Sequence, residues 1–70
     1  MKVYILMEYD TEFSEIINVF DSLEKAQSYR GGKPEDWTSI SKVWWERTLV
    51  HTALGISIPI HLSIGEWEVQ

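Results

Sequence analysis

The sequence predicts an α+β domain: a small antiparallel sheet of about four strands in the order β-β-α-β-β, with one helix on one face. Three observations carry this reading. Lys2 to Tyr9 is a run of β-formers with two apolar faces. Ile16 to Tyr29, IINVFDSLEKAQSY, passes from strand into capped helix without a loop. From Leu54 to Ile64 apolar residues alternate strictly with small or polar ones. At 70 residues the chain makes one domain spanning 1–70, near the lower size at which a chain folds alone.

The first strand is expected over Lys2–Tyr9. Val3, Ile5, Met7 and Tyr9 share one face and Tyr4, Leu6 and Glu8 the other, which suits a central strand. Asp10 to Ser14 is a polar connection of hairpin length, and Ile16–Phe20 is the second strand. A helix follows from Asp21, whose carboxylate caps the first turn while Glu24 completes a capping-box pattern. Removing that cap should cost about 1 kcal/mol. Leu23 and Ala26 form a narrow apolar stripe, and Gly31-Gly32 with Lys33-Pro34 ends the helix.

Residues 37–54 hold Thr38, Ile40, Val43, Trp44, Trp45, Thr48 and Val50, a strand-leaning composition, although a helix would also place Ile40, Val43, Trp44 and Arg47 on one face. As a strand, adjacent Trp44 and Trp45 point to opposite faces, so one ring enters the core and the other needs separate cover. The alternation from Leu54 changes phase at Gly65, after which Trp67 and Val69 are the apolar positions. One strand over 54–69 would run roughly 53 Å, too long for a sphere of roughly 11 Å radius of gyration. A bend or break is therefore expected, with Pro59 on an edge or at the break and Gly65 at a bulge or turn.

Composition narrows the function classes. There is no Cys, which excludes a disulfide framework and a thiolate metal site. Four Trp stand where average usage gives roughly one; such rings fill small cores and anchor protein interfaces. The net charge is −5 and the six basic residues are scattered, so direct nucleic-acid binding is not expected. The apolar run Val3 to Met7 is too short for a signal-peptide core or a membrane span, and a cytoplasmic protein with no membrane contact is expected.

No reactive set stands out. His51 and His61 lack helical ligand spacing, so no metal and no cofactor are expected. There is no Gly-x-Ser-x-Gly elbow, and Gly31-Gly32-Lys33-Pro34 lacks phosphate-loop spacing. Glu8, Asp10, Glu12 and Glu15 crowd the first connection, either as a solvated hairpin tip or as an acidic patch for a basic surface.

VYIL at Val3–Leu6, then Val19–Tyr29 with Asp21-Ser22 and Glu24-Lys25-Ala26, then EWEV at Glu66–Val69 cover roughly a third of the chain. This layout resembles a group of short uncharacterised proteins of phages and bacterial mobile elements, VYIV…VFxSxEKAxxY…EWEV. The resemblance implies a two-stranded start, a helix and a returning strand, and carries no activity over. The Trp37–Ile64 segment departs from the short connection of that group.

The expectation is a non-catalytic protein–protein interaction module, in the phage setting an accessory protein that modulates a host factor or defence system in the host cytoplasm. Glu8, Asp10, Trp44 and Trp45 are the expected contact residues. An apolar second face and a spare Trp point to a homodimer or a protein partner. The alternative is a dimer that binds or sequesters a small ligand such as a nucleotide, in a pocket between subunits lined by Tyr, Trp and Arg.

Overall fold

A computed structural model describes residues 1–10 and 12–70. Among the described residues five strands and one short helix form: β1 (Lys2–Tyr9), β2 (Ser14–Phe20), α1 (Leu23–Gln27), β3 (Thr38–Ser41), β4 (Trp44–Ala53) and β5 (Ile56–Glu68). Single 3₁₀ turns occupy Tyr29–Gly31 and Pro34–Asp36. The sheet order is β2-β1-β5-β4-β3, antiparallel throughout. The expected antiparallel sheet with a helix is present, but it has five strands rather than four and is dominated by strand. The extra strand comes from the strand-leaning 37–54 segment, which folds back on itself around Lys42 and Val43 to pair β3 with β4.

β1 is central because both of its faces are apolar; it pairs with β2 on one side and β5 on the other. A bulge in β2 at Ile17, opposite Leu6 and Met7, interrupts the first pairing. Thr11, within the Asp10–Ser14 connection, lies outside the described residues. On the helix-covered face Leu6, Leu62 and Ile64 are buried together with Ala26 and Trp37. Full burial of a Leu or Ile side chain contributes about 1.5–3 kcal/mol. Trp37 drops from the loop onto this face, and its indole Nε1 donates to the Gln27 carbonyl at 2.9 Å.

The helix cap lies one residue later than the sequence suggests. Ser22 is the N-cap, and its Oγ accepts from the Lys25 amide at 3.2 Å. The Asp21 carboxylate is drawn to the Lys25 ammonium instead, at 2.8 Å, so the Asp21–Glu24 capping box does not form. The helix is five residues long and ends at Ser28, its C-cap, earlier than Gly31-Gly32; Arg30 and Gly31 take positive φ values of 53° and 74° in the 3₁₀ turn that follows.

β5 does not break. It runs 13 residues from Ile56 to Glu68, about 43 Å at 3.3 Å per residue, in a molecule whose longest dimension is 45 Å. The expectation of a break assumed a sphere; the radius of gyration is 12.7 Å because the chain is elongated. Past Tyr9, which pairs with His61, and past Thr38, which pairs with Glu46, only β4 and β5 continue, as a two-stranded arm. The arm closes in a two-residue turn at Leu54 and Gly55, with φ values of 53° and 77°. Pro59 sits on this arm, where β5 has no neighbour but β4.

Candidate functional site

The face of the sheet opposite α1 has no covering layer among the described residues. Strand alternation assigns it Val3, Ile5, Met7 and Tyr9 from β1, Ile16 and Val19 from β2, Trp44 from β4 and Trp67 from β5. Ile16, Val19 and Trp67 are exposed. A helix covers one face of β1, and the sequence makes the other just as apolar.

Gly65 is central to this face and is no bulge. It pairs with Trp44 on one side and Ile5 on the other in unbroken register. The phase change at Gly65 moves the apolar residues of β5 from the helix face to the open face. Trp44 and Trp67 then share the space a side chain at 65 would take. Trp44 Nε1 donates to Glu46 Oε2 at 3.0 Å, satisfying its polar end.

Beside Trp44 lies an open groove of about 440 Å³. Met7, Tyr9, Phe13 and Trp44 line it above the buried Ser63, and exposed Asp10 and Glu12 border it. Asp10 shapes that border. Its Oδ1 accepts from the Glu12 amide at 2.7 Å and the Phe13 amide at 3.0 Å, an Asx-type turn that holds Phe13 against the groove. Tyr9 stacks on His61 with ring centroids 5.6 Å apart. His61 Nδ1 lies 3.3 Å from Thr48 Oγ1. Burial, and secondarily the Glu46 carboxylate, raises the Tyr9 phenol above its ordinary value of 10.0.

The four expected contact residues divide between the two faces. Asp10 and Trp44 meet in the groove. Trp45 points to the helix face, where it packs on the core and lies 6.4 Å from Tyr4, ring to ring. Glu8 is also on the helix face, half-buried between Leu62 of β5 and Glu15 of β2. Glu8 and Glu15 are directly opposite, a like-charge pair with no recognition geometry. Sequence reasoning missed Met7, Phe13 and Trp67. The signal for Met7 and Trp67 was present in the second apolar face of β1 and in the phase change at Gly65.

Among the described residues no three His, Asp or Glu side chains converge on a possible metal position. His51 and His61 lie on opposite faces of the arm, so they cannot share a ligand. No helix among the described residues is long and apolar enough to cross a membrane. No protein family, curated protein or solved structure matches the chain.

Proposed function

We propose that the protein is a non-catalytic protein–protein interaction module that receives its partner on the open face of the sheet. The observation that carries this reading is the Trp44 groove: an aromatic and apolar floor, open to solvent, bordered by the Asp10 and Glu12 carboxylates. Such a surface suits an apolar or aromatic side chain flanked by basic residues. Desolvation supplies the affinity and the carboxylates orient the approach. The resemblance to short phage and mobile-element proteins supports an accessory role, modulating a host factor or defence system in the host cytoplasm. A nucleotide-sequestering role is served less well, because the groove is open and its border repels phosphate.

The test is a pull-down from host lysate at physiological salt, with the protein and its Trp44→Ala variant side by side. A partner retained by the first and lost by the second is expected, with unchanged circular dichroism. If neither recovers a partner, the reading fails.

A further inference from the structure

The strands distribute their charges the wrong way round for a sheet whose second face meets water. Lys2, Glu8, Glu15, Arg47, Glu66 and Glu68 all share the side of Leu6, Leu62 and Ile64, the face that α1 covers. Glu46 alone among the described charged strand residues turns to the open face. There it accepts from the Trp44 indole at 3.0 Å and lies close to the Tyr9 phenol, so its charge is engaged within the chain. A sheet with one solvated face carries its polar residues on that face. Here the uncovered face is the one nearly free of charge, and Ile16, Val19 and Trp67 stand 60%, 49% and 56% exposed on it.

We propose that a second copy of this chain covers the open face, sheet against sheet, about a twofold axis that runs across the strands. Three observations favour a copy over a foreign layer. The chain carries a net charge of −5, yet stacking open face on open face brings almost none of that charge together, because the strand charges lie on the far side of each sheet. The second is area. Ile16, Val19, Trp67 and the partly exposed residues between them offer roughly 500 Å² per copy, so two copies bury roughly 1,000 Å², the lower bound of a specific interface. The third is the small core. A five-residue helix covers only Leu6, Leu62 and Ile64 with Ala26 and Trp37, so a second layer adds burial that a 70-residue chain lacks, and a copy is at hand wherever the chain is made. The direction of the axis follows from the acidic hairpin tip. An axis along the strands would stack Asp10 and Glu12 on their own copies. An axis across the strands sets each tip over the other end of its partner, where Met1 pairs with Glu68 and Lys2 with Glu66, and the charges balance.

The copy and a foreign partner then occupy the same face in turn: the dimer hides the Trp44 groove and dilution exposes it. So small an interface makes the dimer reversible and concentration-dependent. Sedimentation equilibrium on the protein alone, up to about 1 mM, should show a species of twice the 8.2 kDa chain mass. Trp emission should shift to the blue over the same range as Trp67 leaves water. Ile16→Glu and Val19→Glu place a charge on the face at positions exposed in the single chain. Each should stay folded by circular dichroism and weaken the dimer at least tenfold. Ile58→Glu, at an exposed apolar position on the other side of the arm, should leave it unchanged. Glu12→Cys, in this cysteine-free chain, should not cross-link, because the two tips lie at opposite ends of the stack. A wild-type monomer at the highest concentration overturns the proposal and leaves the partner reading standing. A dimer undiminished in both folded face variants, or lost in Ile58→Glu, overturns it too, and rapid cross-linking of Glu12→Cys overturns the axis across the strands.

Discussion

Gly65 lies directly across the ladder from Trp44, and a Cβ at position 65 would come within 2.9 Å of the Trp44 ring and of the Trp67 indole nitrogen. Two large rings share the open face because this one position carries no side chain. Gly65→Ala should therefore leave the ladder intact while displacing both indoles, at a cost of about 1 kcal/mol. Urea unfolding checks the cost, and a shift in Trp emission of the folded state checks the displacement. Unchanged emission would show that the rings do not meet at Gly65.

Gly32 makes a second close approach, on the helix side. A Cβ there would fall on Arg47 Nη1 and lie 2.5 Å from the Gln27 carbonyl oxygen. Arg47 is largely buried beneath this loop, 3.8 Å from the Asp36 carboxylate. The Gln27 carbonyl belongs to the backbone and already accepts from Trp37, so it has little freedom to move. Gly32→Ala should destabilise by about 2 kcal/mol, more than Gly65→Ala, where side chains alone must shift. Chemical denaturation of the two variants in parallel tests the order.

The helix start separates two neighbouring polar residues. Ser22→Ala removes the side chain that accepts from the Lys25 amide and should cost about 1 kcal/mol. Asp21→Ala removes only an exposed ion pair and should cost less. The reverse order in thermal unfolding would restore Asp21 as the cap.

What the sequence made legible follows from interactions that are local. β1, the hairpin to β2 and the opposed directions of Trp44 and Trp45 all follow from the pleat. Asp21 and Ser22 are both good caps, and only the position of Lys25 decides between them. The continuity of β5 escaped because it depends on shape: an arm two strands wide can outrun the sheet, and a spherical estimate forbids it. The site was half legible. Asp10 and Trp44 share a groove because β1, β5 and β4 lie side by side in one register. That Trp45 turns away from Trp44, and Glu8 away from Tyr9, follows from the pleat; which of the two faces stays open depends on the side that α1 covers.

Ionisation gives opposite trends at the two ends of the pH range. The hydrogen bond and charge of Lys25 hold the Asp21 carboxyl below 3.8 in the folded protein. A lowered folded value means that the contribution is present above the unfolded value and is lost as pH falls through the folded one, so it fades in acid below about pH 4. Tyr4 behaves in the opposite sense. Its hydroxyl donates to Glu66 Oε1 at 2.9 Å, and this bond, with burial and the carboxylate charge, raises its phenol above 10.0. The folded state then holds the proton more tightly, so stability is intact below 10.0 and falls as pH rises through the folded value. Ultraviolet titration should show late phenolate ionisation from Tyr4 and Tyr9, of which Tyr4→Phe removes one part and leaves the other.

The adjacent indoles Trp44 and Trp45 should part company under mutation. Trp45 packs on the core cluster and lies against the Tyr4 ring, so Trp45→Ala opens a void beneath the helix face and should cost about 3 kcal/mol. Trp44 lies on the uncovered face, with its Nε1 satisfied by Glu46 of its own strand. Its removal frees Glu46 and widens the groove, but opens no enclosed cavity, so Trp44→Ala should cost about 1 kcal/mol. Partner capture should follow the opposite order: abolished by Trp44→Ala, and retained by Trp45→Ala at temperatures where that variant remains folded. Unfolding curves and pull-downs on the same two preparations read both quantities. Capture lost only in the Trp45 variant would move the contact surface to the helix side.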